Sequence, residues 1–319
     1  MFDSNLITTQ KNLLAFSGGV DSSALFFILL KKNIPFDIII IDYNQRKQSK
    51  KEVQYAQNLA SKYNKKCFLK EYNLSKFSEK DARDFRYDFF DEIIKKYNYE
   101  ALITAHQLND KFEWFLMQLS KGAGLKELIG LQPISKRGDY TVYRPLLEIS
   151  KDELLQYLEK NNIKYFIDSS NTDIKYKRNL FRTKFSNEFI ATYKEGVKKS
   201  FAYLQKDIES LEVKPIIEQK QELKIATFDT TDTNILIRFI DAELKQRGII
   251  ISSKTREEII DKKEVVVSHK IVVSIVENKV FIAPYIANTK LNKAFKEQCR
   301  KTNIPPLIRP YLAKTMGNN

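Results

Sequence analysis

An α/β fold with a doubly wound parallel sheet, followed by a smaller α+β domain, is the architecture this 319-residue sequence predicts. Three observations carry that prediction. Short apolar runs alternate with helical patterns through the first half of the chain, which is the signature of parallel βαβ units. The first strand enters the first helix through a Gly-Gly turn. Past residue 211 the alternation gives way to short helices and closely spaced β-rich runs, too few for a second sheet of that kind.

In chain order, residues 13–16 are apolar and read as a buried strand, and residues 24–30 continue as a helix. Residues 36–41 are nearly all apolar and β-branched, a second strand bounded by Pro35 and Asp42. Helix 49–63, strand 66–71, helix 79–97, strand 101–104 and helix 106–120 complete the alternation. Residues 140–146 read as a short extended segment. Ser150-Lys151-Asp152-Glu153 is a capping box that opens a helix to 160. Residues 165–168 are extended, 168–182 polar, and 184–211 helical. The later part reads as helices 233–246, 255–262 and 292–301 and strands 264–267, 270–276 and 279–283. Gly248 serves as a helix stop and Glu277-Asn278 as a hairpin turn. The domains are therefore placed at 1–205, including a helical connector, and 206–319.

The net charge of +14 points to a polyanionic partner, nucleic acid foremost, although a lysine-rich genome would raise the count as well. Cys67 and Cys299 form neither a disulfide framework nor a Cys-x-x-Cys pair, and His106 and His269 cannot alone build a zinc site. The chain shows no signal-peptide pattern and no apolar run long enough to span a membrane, so a cytoplasmic protein is expected.

The first chemical motif is Ser17-Gly18-Gly19-Val20-Asp21-Ser22-Ser23. A strand that turns sharply into a helix leaves the first N–H groups of that helix unpaired, and with the helix dipole they attract anions. Gly18 and Gly19 let the backbone approach phosphate oxygens, the three serines add donors, and Asp21 can hold a metal ion beside them. No Gly-Lys-Ser/Thr follows, so this is not a Walker loop. An ordinary βα turn would carry the glycines but not the bracketing serines.

Further on, Asp110 and Glu113 share one helix face near its N-terminus, just after His106. Such a pair can hold a cation, a metal or a proton, or it can simply offset the helix dipole. Arg83 and Arg86 share another face, and Arg178 and Arg182 lie four apart after the polar run Asp168-Ser169-Ser170-Asn171. Each arginine pair suits phosphate or RNA backbone as well as it suits a solvated surface.

Together these stretches resemble the tRNA(Ile)-lysidine synthases, a family of PP-loop enzymes with an adenine nucleotide alpha hydrolase-like fold. The match runs through Ser17 to Ser22, Ala82 to Tyr87, Thr104 to Trp114, Lys121 to Leu125, Arg144 to Leu147, Asp168 to Asn171 and Arg178 to Arg182. Ile304-Pro305-Pro306-Leu307-Ile308-Arg309 is similar to a closing segment of longer members. Asn109 stands where the family has a first aspartate, Gln107 where it has a second histidine, Trp114 for threonine and Lys121 for arginine.

The resemblance implies ligation of L-lysine to the wobble cytidine of the CAU-anticodon isoleucine tRNA through an adenylated cytidine, with release of AMP and pyrophosphate. ATP and Mg²⁺ would be the cofactors. Ser17, Gly18, Gly19, Val20, Asp21, Ser22, Ser23 and His106 would bind ATP. Asp21, Asp110 and Glu113 would be catalytic, with Asp21 also at the metal. Arg83, Arg86, Arg178 and Arg182 would hold phosphates of ATP or tRNA, and the second domain would grip the tRNA body. A homodimer is compatible with this reading. The other candidates are a tRNA thiolase, an amide-forming synthetase and a non-catalytic RNA-binding protein; the scarcity of cysteine speaks against the first.

Overall fold

The computed structural model describes residues 6–44, 49–72, 79–167, 177–211, 213–287 and 289–316. It divides into two compact units, 1–208 and 209–319. The Asp168-Ser169-Ser170-Asn171 motif lies outside the described residues.

The first unit is organised by a six-stranded sheet ordered β3-β2-β1-β4-β6-β5. Its strands are β1 (Asn12–Ala15), β2 (Asp37–Asp42), β3 (Cys67–Glu71), β4 (Ala101–Ile103), β5 (Ile134–Arg137) and β6 (Tyr140–Tyr143). Every pairing is parallel except that of β5, which runs antiparallel along the β6 edge. Side chains alternate faces along a strand, so neighbouring residues serve different cores. Leu14, Ile38, Ile40 and Ile103 face α1 (Val20–Lys31), α2 (Ser49–Lys62) and α6 (Lys151–Lys160). Leu13, Ile39, Leu102 and Val142 pack against Phe89, Phe90, Ile93 and Ile94 of α3 (Glu79–Tyr97). Both faces are covered, as a parallel sheet requires, and the strands accordingly read as unbroken apolar runs. Truncating Leu13 or Leu14, each fully buried, to alanine would cost about 2–5 kcal/mol.

The strand order reverses direction at β1 and β4, so a crevice opens at their carboxyl ends. From that edge rise α1 and α4 (Leu108–Leu119), followed by α5 (Leu125–Ile129). Past α6, α7 (Lys177–Phe181) passes through a π turn (Arg182–Ser186) into α8 (Asn187–Leu211), whose helical backbone breaks at Tyr193.

The second unit is a five-stranded antiparallel sheet ordered β7-β8-β11-β10-β9. Its strands are β7 (Ile216–Lys220), β8 (Leu223–Thr227), β9 (Glu264–Val267), β10 (Ile271–Val276) and β11 (Lys279–Pro284). Val273, Ile275, Val280 and Ile282 pack with α9 (Thr233–Gln246) and α10 (Ser253–Lys262). Val272, Phe281 and Ala283 pack with residues of α11 (Lys293–Lys301) and α12 (Arg309–Met316). Gly248 follows α9 at φ +75°, and Glu277-Asn278 closes the β10–β11 hairpin, both as expected.

Three strands are additions to the expected set. β5 and β7 are edge strands, and β7 is exposed along its whole length, so neither has an apolar face to alternate. β8 is partnered by β7 and carries lysine and threonine among its apolar positions. The expected helix 184–211 holds, but with the π turn and the break at Tyr193 within it. Among the described residues no helix is long and apolar enough to cross a membrane.

Candidate active site

β1 ends at Ala15, and the chain turns through Ser17 and Gly18 into α1. Gly18 has φ +73°, and a Cβ there would lie 3.3 Å from the Phe166 ring. The Phe166 N–H donates to the Gly18 carbonyl at 2.9 Å, which closes the far side of the loop. Both the handedness and the crowding require glycine. Gly19 is the extended N-cap of α1 (φ −75°, ψ 176°), and no side chain caps the helix, so the first-turn N–H groups from Val20 onward remain available. The Ser17 N–H donates to Ser22 Oγ at 3.2 Å, and the two hydroxyls lie 3.1 Å apart. The loop is thus a small cup of backbone amides and serine hydroxyls.

Asp21 lies one step into α1. Among the described residues its Oδ1 and the Ser23 Oγ are buried without a hydrogen-bond partner. Burial, then the negative charge of Asp110, pushes the Asp21 carboxyl up to about 7; Lys151 and Arg182 pull it down and Glu113 adds to the rise. The charges named here belong to α4, the π turn and the start of α6, so the loop and the acidic pair share one site.

α4 presents that pair. Its N-cap, Gln107, accepts from the Asn109 N–H, and Asp110 Oδ2 accepts from the Gln107 N–H at 3.1 Å. This capping box fixes the first turn and spends one carboxylate oxygen on the cap. Asp110 Oδ1 accepts from Arg178 at 2.7 Å. Glu113, with 1% of its side chain exposed, accepts from Arg178 Nε at 3.1 Å and from Arg182 at 2.7 and 3.1 Å. Burial raises the Asp110 carboxyl, but Arg178, His106, Arg182 and the Gln107 N–H outweigh it and hold the group below its ordinary value. Burial opposes charge on Arg178 and Arg182 too, and the two carboxylates raise both guanidiniums above their ordinary value.

The arginines expected at phosphates divide into two kinds. Arg178 and Arg182 turn onto Asp110 and Glu113, because two buried carboxylates need two cations. Arg83 stands over the Tyr87 ring at 5.0 Å, and its charge reaches His106. Arg86 donates to the Tyr43 hydroxyl at 2.8 Å, at the carboxyl end of β2. His106 Nδ1 lies 2.9 Å from Thr104 Oγ1. Burial lowers the imidazole to about 4 against the pull of Asp110, so His106 is neutral near pH 7.

Residues 2–189 match the PP-loop domain family. Over 310 residues the chain is 44% identical to the tRNA(Ile)-lysidine synthase of Campylobacter jejuni (strain RM1221), across 96% of this chain and 94% of that one. This chain belongs to the tRNA(Ile)-lysidine synthase family. The Helicobacter pylori (strain ATCC 700392 / 26695) synthase is 41% identical over 309 residues, 95% of this chain and 89% of that one. In fold the chain is similar to the U34-tRNA thiolase NcsA from Methanococcus maripaludis, at TM-score 0.52 and 16% identity, covering 64% of this chain and 75% of that one.

Against the synthase pattern, the departures have structural uses. Asn109 accepts from the Lys151 N–H at 3.1 Å and donates to Asn187 at 3.3 Å, joining α4 to the starts of α6 and α8. An aspartate could accept from Lys151 but could not donate to Asn187. Trp114 donates to the Glu127 carbonyl at 2.8 Å and lies so close to Gly130 that a Cβ there would fall 2.1 Å from the indole.

Two residues to which sequence reasoning gave no role also border the site, and a third, Lys111, is buried on the same helix away from it. Lys151 and Arg144 set the local potential at Asp21 and His106. Lys111, buried on α4, has its ammonium 4.4 Å from the Phe201 ring centre, and burial lowers its pKa against the pull of Glu148. Arg144 opens the Arg144-to-Leu147 match and Lys151 lies inside the Ser150-to-Glu153 capping box, so both stood in stretches that carry a signal of another kind.

Proposed function

We propose that the Ser17-to-Ser23 loop holds the α-phosphate of ATP in line with the 2-oxygen of a cytidine, and that Asp110 and Glu113 receive the ε-ammonium of L-lysine beside it. As a tRNA(Ile)-lysidine synthase the chain is an ATP-dependent ligase that forms lysidine at the wobble position of isoleucine tRNA. One observation carries the site assignment: Asp21, inside the loop, lies in the field of Asp110, Glu113 and Arg182. Phosphate loop and amine-binding acids must be adjacent if an adenylated base is to meet an amine.

The cytosine 2-oxygen attacks the α-phosphorus and pyrophosphate leaves. The lysine ammonium gives a proton to water, its nitrogen attacks carbon 2, the carbon–oxygen bond breaks, AMP leaves and a further N–H proton passes to water. The loop amides and serine hydroxyls meet charge that develops on the α-phosphate oxygens. Asp110, held below its ordinary pKa, is ionised across the neutral range. That suits it to anchor an ammonium and makes it a weak proton acceptor, so of the roles open to the pair the cation anchor is assigned to Asp110. Of the two guanidiniums, Arg178 has 36% of its side chain exposed and Arg182 18%, so Arg178 is the one that yields to an incoming cation and turns toward phosphate.

Among the described residues no group of three or more His, Cys, Asp or Glu is placed to hold a metal. A Mg²⁺ ion shared with the phosphates needs fewer protein ligands, and the unpartnered Oδ1 of Asp21 fits one. The ion would neutralise charge on the departing pyrophosphate. The unit 209–319 would add contacts to the tRNA body, and the enzyme would work in the cytoplasm. Sulfur transfer finds no support: burial pushes the Cys67 thiol up to about 11, away from thiolate.

The test is incubation with ATP, Mg²⁺, labelled lysine and the CAU isoleucine tRNA. Label is expected in the RNA, and Asp110→Asn is expected to raise the lysine KM. Ligation by Asp110→Asn at unchanged lysine KM would refute the anchor. Arg83→Ala and Arg86→Ala are expected to weaken tRNA binding and reduce its salt slope by about one each.

A further inference from the structure

Phe181, Phe185, Phe189 and Tyr193 stand four residues apart through α7, the π turn and α8. In an α-helix such a row creeps around the axis by about 40° per step, because four residues overshoot a turn. The wider turn at Arg182–Ser186 takes up part of that creep and keeps the rings to one side. Phe181 and Phe185 lie 5.6 Å apart between ring centres, and Phe189 and Tyr193 5.1 Å. Phe185, Phe189 and Tyr193 are 51%, 45% and 59% exposed, while Ser186 and Ile190 between them are buried. The helix therefore already has its core face, and the aromatic row is a second, uncovered one.

The row is anchored on α4, the helix that carries the acidic pair. Phe189 stacks on Phe112 of α4 at 5.0 Å with 23° between the ring planes. Phe112 lies in sequence between Asp110 and Glu113. Cations run beside the rings: Lys177 stands over Phe181 at 5.6 Å, Arg178 and Arg182 hold the acidic pair, and Lys184 is exposed.

We propose that this ladder is a stacking platform for the unpaired bases that flank the target cytidine, an inference that rests on the tRNA reading above. Every base has an apolar face, and aromatic rings interleaved with cations bind single-stranded nucleic acid through stacking plus phosphate contact. An apolar protein partner would have no use for the cations. The rings touch in two pairs, Phe181 with Phe185 and Phe189 with Tyr193, so each pair offers a face for a base to lie on. Drawing the flanking bases out to the ladder leaves the wobble base free to enter the phosphate loop.

The test uses the full-length chain with Phe185→Ala, Tyr193→Ala and Phe185→Trp. Binding is measured across a salt series to the CAU isoleucine tRNA transcript, and to the same transcript with abasic nucleotides flanking the wobble position. Each alanine is expected to weaken binding to the intact transcript about tenfold, and tryptophan to retain it. The salt slope is expected to stay constant, because no phosphate contact is lost. On the abasic transcript the wild type and the alanine variants should bind alike. Alanine variants that bind the intact transcript as tightly as wild type, or that lose as much on the abasic one, overturn the proposal. So does a change in sedimentation of the free protein with unchanged RNA affinity, which makes the row a contact between two copies. Lysine incorporation by the wild type on this transcript separates the two readings. An enzyme that labels the tRNA while its variants bind normally has lost only the ladder, and one that never labels it has lost the functional reading.

Discussion

The two units of this chain treat buried charge differently. In the second, each buried acid has a settled partner: Glu243 meets Lys224 at 2.7 Å, Asp241 meets Lys245 at 2.6 Å and Arg256 at 3.2 Å, and Glu264 accepts from Ser274 and from the Leu307 N–H. In the first, Asp110 and Glu113 are as well matched, but Asp21 beside them keeps a buried oxygen with no partner and a carboxyl that resists ionisation. An unmatched carboxylate oxygen at the carboxyl end of a parallel sheet is the mark of a ligand site; among the described residues the second unit's unmatched buried side-chain atom is a donor, Arg256 Nε, on a guanidinium already paired with Asp241, which suits a scaffold. Mutations of one type should therefore act differently in the two units.

The largest difference is expected for Glu113→Ala against Glu243→Ala. Glu113 is shielded and serves two guanidiniums, so its loss leaves Arg182, the more buried of them, with only Asp110 at 3.6 Å, at about 3 kcal/mol. Glu243 serves one lysine whose flexible stem can reach water, and about 1–2 kcal/mol is expected there. The chain has a single tryptophan, Trp114, in the first unit, so indole fluorescence during urea unfolding follows that unit alone. Equal shifts of the indole transition by the two variants would erase the contrast.

Gly18→Ala comes next. It forces a Cβ into a left-handed residue against the Phe166 ring, at about 1–2 kcal/mol. It also thickens the backbone where a phosphate must approach, so ATP affinity should fall more than stability does. Isothermal titration of the folded variant checks this.

Much of this contrast was legible in the residues. The serine-bracketed glycines, the acids three apart and the arginines four apart all signal through local spacing, and each lies where its motif put it. The pairing of Arg178 and Arg182 with Asp110 and Glu113 was not legible, because it joins residues more than sixty positions apart. Local spacing equally suits a phosphate partner or a carboxylate partner; only the fold decides between them. The edge strands β5 and β7 escaped for another reason: an uncovered edge has no apolar alternation to display. The π turn also escaped, since nothing in Arg182-Thr183-Lys184-Phe185-Ser186 breaks helical propensity.

Asp21→Asn tests the surplus itself. The carboxyl titrates near 7 in the folded chain and near 4 when unfolded, so the folded state holds its proton more tightly. The contribution of this one group to stability is greatest below about pH 4 and declines as pH rises toward 7, where the folded carboxyl must ionise in a buried, acidic setting. Asparagine has nothing to ionise. The variant should unfold at a higher temperature than wild type at pH 8 and at about the same temperature near pH 4, and it should lose ATP-dependent ligation. Because the buried neutral His106 acts in the opposite sense over the same range, the readout is the difference between variant and wild type; a difference in indole-detected midpoint that does not grow from pH 4 to 8 would show that Asp21 is already compensated.

The smallest effect is expected at Lys262→Ala in the second unit. Lys262 and Glu258 pair at 2.6 Å one helical turn apart, with 65% and 40% of their side chains exposed. The pair gains little in water and is screened by salt, so at most about 0.5 kcal/mol is expected, vanishing at high ionic strength. Far-ultraviolet circular dichroism during urea unfolding reads both units, so a shift there with no movement of indole fluorescence belongs to the second. If the effect on the second unit instead matched that of Glu243→Ala, distance from water would no longer rank its ion pairs. The distinction between a settled scaffold and a surplus-bearing site would then fail on the scaffold side.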